Sequence, residues 1–156
     1  MRVAWITPNL PPRPCGVGDY GAKVIGALKE AAHEVLPLDG RNFLQIFAQC
    51  RSASPDRIFL NFTPYLYGAK TYGLSPGLLG LLLMLRLRFG RNRLDVIAHE
   101  LHYPVQWADH GWVLGPLQLF QWIVVAILAG RLHFTYQVAW TNWRRFLFYK
   151  RKRMFW

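Results

Sequence analysis

The run Val3-Ala4-Trp5-Ile6, closed by Thr7, shows no alternation of polar and apolar residues. A strand with one wetted face alternates, so a run that does not is covered on both faces, as in the middle of a parallel sheet. Further runs of strand character lie at Glu34 to Leu38 (ending at Asp39), Ile58 to Phe62, Leu94 to Ala98 and Leu132 to Thr135. Helical signals fill the gaps. Asp19 is the expected N-cap of a first helix in which Tyr20, Val24, Leu28 and Ala31 or Ala32 recur at helical spacing. Asn42 to Cys50 and Gly77 to Arg88 follow, the latter closed near Gly90. Strands alternating with helices make βαβ units. The expected fold is therefore α/β, a Rossmann-like parallel sheet with helices on both faces, in a single domain spanning 1–156.

Ligands of such sheets bind beyond the carboxyl ends of the strands. Three connections matter for that reason: Pro8 to Tyr20, Asn61 to Pro76 and His99 to Asp109. The first carries Gly16-x-Gly18-x-x-Gly21, which taken literally is a dinucleotide fingerprint, with Asp39 where a ribose-binding acid belongs. In that fingerprint the first glycine sits at the tight turn directly after the strand. Here eight residues, four of them proline, separate Thr7 from Gly16. Backbone N–H groups at a helix start can also hold another anion or a sugar hydroxyl, and a purely structural glycine turn is the remaining reading. The second connection, from Tyr65 to Pro76, is expected to be a loop, and its Tyr65 and Tyr67 either pack on the domain or offer ring faces and hydroxyls to a ligand. The third begins with His99-Glu100, where a histidine can donate or accept a hydrogen bond near neutral pH. His99, His102, Asp109 and His110 do not have the spacing of common zinc sites, so no metal is expected.

Charge bounds the partners. The net charge is +11, and no Asp or Glu follows Asp109. One basic cluster is Arg86, Arg88, Arg91 and Arg93; a second is Arg144, Arg145 and Lys150 to Arg153, interleaved with aromatics from Trp140 onward, where a basic helix is expected. Such bias favours anionic partners, with a solvated basic surface as the plain alternative. A membrane interface suits the tail; no groove-reading module is visible, so nucleic acid is not expected. Gly111 to Gly130 carries no charge, but Pro116, Gln118 and Gln121 favour a buried or interfacial helix over a spanning one. Two cysteines, Cys15 and Cys50, are too few for a disulfide framework and fit a reducing, cytoplasmic setting.

The opening MRVAWITPNLPPRPCGVGDYGAKVIGALKEAAHEV resembles the start of glycosyltransferase family 4. In that family a first strand leads to a proline-rich loop, a Gly-x-x-Asp-Tyr segment, a helix and a second strand opening on Gly-His-Glu-Val; Ala32 stands here where the family has glycine. Asp95 to Glu100 resembles the family's strand ending in His-Asp or His-Glu, and Pro64 to Gly68 the Pro-x-x-Tyr-Gly type of loop. The resemblance implies the N-terminal, acceptor-side half of a GT-B enzyme. Such an enzyme moves a glycosyl group from a nucleotide-sugar to an acceptor hydroxyl, with retention and without a metal or other cofactor. It implies His99 as the residue at the reacting centre, and Gly16, Gly18, Asp19, Tyr20 and Glu100 as substrate-binding, with Tyr65 and Tyr67 beside them. The family's nucleotide-binding residues belong to a C-terminal domain outside these 156 residues, so this chain alone is expected to be inactive. The rival functions are a dinucleotide-binding protein and a non-catalytic, basic, membrane-associated protein at the inner face of a membrane.

Overall fold

The computed structural model describes residues 1–9, 11, 15–40, 42–68, 71, 73–99 and 111–135. Five strands, β1 (Arg2–Thr7), β2 (Glu34–Asp39), β3 (Arg57–Phe62), β4 (Leu94–Ala98) and β5 (Arg131–Phe134), form one sheet in the order β2-β1-β3-β4-β5. Every pair is parallel. The fold is thus α/β and Rossmann-like. β1, β3 and β4 are the fully covered strands, and their non-alternating runs follow from that. β2 lies at the edge, where Pro37 removes no ladder bond that the sheet needs.

Helix α1 (Gly16–Glu30) covers one face, packing Ile25, Val24 and Leu28 on Trp5, Phe59 and Ile97. The other face carries α2 (Phe43–Ala53), α4 (Pro76–Phe89) and α5 (Gly111–Leu128). There Ala4, Ile6, Leu60 and Val96 meet Ile46, Leu78, Leu82, Trp122 and Val125 in the main core. Helix α4 is apolar nearly all round because it lies between α2 and α5 on the sheet.

Two expectations are corrected. Asp19 is not the N-cap: α1 begins at Gly16, with Cys15 in extended backbone before it, and the Asp19 N–H already donates to the Cys15 carbonyl at 2.8 Å. The stretch from Tyr65 to Pro76 is not all loop. Pro64–Gly68 forms a short helix, α3, and Pro76 opens α4 behind an N-cap serine, Ser75. The basic helix expected beyond Trp140 lies outside the described residues.

Among the described residues no helix is long and apolar enough to cross a membrane. The two glutamines of α5 are buried, and Gln121 has a clear task. Its side chain accepts from the Ser75 N–H at 2.6 Å and donates to the Gly73 carbonyl at 2.8 Å. It thereby fixes the connection between α3 and α4.

The first arginine cluster is put to structural use at the end of the sheet opposite the strand carboxyl ends. Arg86 donates to the carbonyls of Ile127 and Leu128, and Arg91 to that of Ala129, so both cap the end of α5. Arg93 reaches the Pro55 carbonyl, and Arg88 lies over the Phe89 ring.

Candidate functional site

From β1 the chain first steps to β2 on one side, then crosses to β3 on the other. The crossovers diverge there, and in sheets of this kind the ligand crevice lies at such a point, here the carboxyl ends of β1 and β3. Side chains on the α1 side of this crevice come from three strand ends. Trp5 and Thr7 belong to β1, Asn61 and Thr63 to β3 and its exit, and His99 follows β4. All but His99 are buried.

His99 is held on three sides. Its backbone N–H donates to the Phe62 carbonyl at 3.1 Å, and its Nε2 lies 3.3 Å from Asn61 Oδ1. Tyr20, from the first turns of α1, sets its ring edge-on to the imidazole, with centroids 4.9 Å apart at 79°. With Asn61 Oδ1 as acceptor, Nε2 carries the proton and Nδ1 keeps a lone pair. Burial lowers the pKa of His99 and raises that of Tyr20. Both groups are therefore neutral near pH 7, the imidazole as an acceptor and the phenol as a donor.

The glycines divide by task. Gly16 is exposed, with nothing near the place a Cβ would occupy. A Cβ on Gly18 would lie 2.0 Å from the Asn9 carbonyl oxygen, so the loop after β1 folds down onto the helix start. Asn9 itself is in the left-handed region at φ 58°. A Cβ on Gly21 would lie 3.0 Å from Trp5 Nε1 and 3.3 Å from Asn61 Nδ2. The missing side chain lets α1 sit close over the crevice floor. Trp5 Nε1, Asn61 Nδ2 and Thr63 Oγ1 are buried without a hydrogen-bond partner, and buried polar groups of this kind ask for one.

Asp19 is exposed on the first turns of α1, where its charge complements the positive end of the helix. Tyr67 is committed to the fold: its hydroxyl donates to the Asn61 carbonyl at 2.8 Å, and burial, with the Asp39 carboxylate nearby, pushes its pKa well above the usual range. It anchors α3 behind Asn61. The Tyr65 side chain and Glu100 lie outside the described residues, as do His102, Asp109 and His110. Among the described residues no three His, Cys, Asp or Glu side chains gather as a metal site. Both cysteines are free thiols, and burial pushes that of Cys50 up to about 12.

Two features bear on the dinucleotide fingerprint. The nucleotide-binding half of that fold places its third strand outside the second, whereas here β3 lies on the opposite side of β1. The second glycine of the fingerprint leaves room for a pyrophosphate, whereas here the Asn9 carbonyl fills the space beside Gly18. Asn61, Trp5 and Thr63 are site residues that the motifs do not mark. The available signal for Asn61 was its polarity inside the otherwise apolar run Ile58 to Phe62. Comparison with protein-family profiles, with curated proteins and with solved structures finds no match to this chain.

Proposed function

We propose that the chain is the acceptor-side domain of a GT-B type retaining glycosyltransferase. The complete enzyme transfers a glycosyl group from a nucleotide-sugar to an acceptor hydroxyl in a cytoplasmic setting. One observation carries this reading: Tyr20 of the glycine-bearing helix start and His99 of the β4 end meet over Asn61 at the switch-point crevice. The chemistry asks for few groups. Negative charge grows on the leaving phosphate in an oxocarbenium-like transition state, and fixed dipoles offset it best where water is excluded. The first N–H groups of α1, at Gly16 to Gly18, have no acceptor within the helix and can serve as such dipoles. The neutral His99 imidazole, its Nε2–H donating to Asn61 Oδ1, offers Nδ1 to a sugar hydroxyl. A metal is not needed for this route.

NMR titration of this chain tests the reading. A nucleoside diphosphate is expected to shift the amides of Gly16 to Gly18, the imidazole of His99 and the indole N–H of Trp5. His99→Ala is expected to leave the helix-start shifts and remove the coupled response of Tyr20. If those sites stay silent while NAD shifts them, and Asp39→Ala abolishes that response, the dinucleotide reading replaces this one.

A further inference from the structure

A surface helix ordinarily keeps its polar residues outside and its apolar residues inside. Helix α5 buries apolar residues, Trp122 and Val125 among them, but its outer face is apolar too. Its two polar side chains, Gln118 and Gln121, are buried, while Val113, Leu117, Phe120 and Ile127 are exposed, the last two by 61% and 60%. These four recur along one face of the helix at three-, four- and seven-residue steps, and no polar residue interrupts them. Helix α4 adds to the same surface. Leu83 and Leu87 are exposed one turn apart, Leu87 by 77%. Arg86 joins the two helices by donating to the Ile127 and Leu128 carbonyls, which sets the last turns of α4 and α5 side by side. Contiguous exposed apolar surface of this kind marks an interaction site.

The surroundings say what kind. No Asp or Glu lies between Asp56 and Asp95, so neither α4 nor the turn after it carries an acid. Helix α5 carries none either. Arg88 is exposed in the last turn of α4, and Arg91, which donates to the Ala129 carbonyl, is exposed at the end of α5. The Arg88 guanidinium, lying over the Phe89 ring, has five donors with which to meet an anion. An apolar face flanked by arginines at one end, with no acid on α4 or α5, is the pattern of a surface that lies in a membrane interface, apolar groups among the acyl chains and arginines among anionic headgroups. We propose that the outer face of α4 and α5 docks this protein onto an anionic lipid bilayer, lying on it without crossing it. This inference stands apart from the transferase reading, and either can fail alone.

Flotation of the full chain with vesicles tests it. Vesicles containing phosphatidylglycerol are expected to carry the chain, phosphatidylcholine alone to carry little, and added salt to weaken the first. Replacing Phe120 and Ile127 together by Glu is expected to weaken binding at least about tenfold, given the apolar area each would otherwise bury. The Leu83→Gln, Leu87→Gln pair is a second, milder variant, with circular dichroism confirming the fold of each. Changing Lys150, Arg151, Lys152 and Arg153 to Gln is expected to leave the dependence on Phe120 and Ile127 in place. Absence of vesicle binding overturns the proposal. So does binding that the tail variant abolishes and both face variants leave unchanged. Self-association of the free chain, lost in the Phe120→Glu, Ile127→Glu variant without any lipid binding, overturns it in favour of a second copy on this face.

Discussion

Asn61 connects the floor of the crevice to the group above it: its side chain meets His99, and its carbonyl accepts from Tyr67. The imidazole it holds is neutral because burial disfavours the charged form, and burial acts on His133 in the same direction. The sign of the consequence follows. A histidine whose pKa is lower in the fold than in the unfolded chain leaves the unfolded chain holding more protons between the two values. Stability is then full above the ordinary histidine pKa and falls as pH drops below it. Acidification from neutral to about pH 5 is expected to lower the melting temperature. The loss should be shallower in a His99→Gln, His133→Gln variant, a comparison needed because burial raises the pKa of Asp95 and so acts with the opposite sign. An unchanged slope in that variant would show that neither imidazole is kept neutral by the fold.

Ala32 makes a second case at the same scale. It sits at φ 59° after α1, where its N–H donates to the Lys29 carbonyl and the His33 N–H to that of Leu28, both at 3.0 Å. That pair of bonds is a Schellman ending, and glycine suits its left-handed residue because a Cβ crowds the backbone there. Ala32→Gly is expected to raise stability by about 1 kcal/mol in urea denaturation. The sequence shows an alanine where the resembled family has glycine; only the backbone angle shows that the substitution costs anything.

At the scale of elements, what could be read from sequence depended on how far away the determining partner lies. The strands declare themselves because two-sided burial leaves an unbroken apolar run in the strand itself, and β4 falls where the run Leu94 to Ala98 puts it. Capping rules, which weigh side chains, place the start of α1 at Asp19, whereas the helix begins at Gly16, with Gly18 fitted under the Asn9 carbonyl. The connection after β3 read as loop from its Gly and Tyr content. What orders its end is Gln121, a side chain 46 residues from Ser75. Likewise Gln118 and Gln121 read as blemishes in an apolar helix, and Arg86 and Arg91 as a charged patch, although Gln121 and both arginines serve backbone groups on other elements. Gln121→Leu keeps the volume but leaves the Ser75 N–H buried without an acceptor. It is expected to cost roughly 2–4 kcal/mol and to speed amide exchange at Ser75 and Gly73. Gln121→Glu keeps the acceptor and sets a carboxylate against the Gly73 carbonyl, so its cost should shrink in acid. Equal stability of Gln121→Leu and the parent chain would show that the clamp contributes nothing.

At the scale of the whole molecule, strand order decides where a ligand can bind, and order is not written in local pattern. The same five runs would suit a sheet with β3 outside β2; the crossover of β3 to the far side of β1 is what opens the crevice beside Trp5 and Asn61. Gly16 to Gly18 and His99 approach that crevice from α1 and β4. Stabilising a departing nucleoside diphosphate by fixed dipoles demands that the phosphate be surrounded and dried, since dipoles facing bulk water lose most of their effect. On the proposed reading the groups that grip the nucleotide belong to a separate donor domain. The 156-residue chain is therefore expected to release no nucleoside diphosphate above background from any nucleotide-sugar, in a coupled assay, while still showing the ligand shifts at Gly16 to Gly18. Turnover by this chain alone that His99→Ala removes would mean that the crevice is a complete active site, and the half-enzyme reading would have to be abandoned.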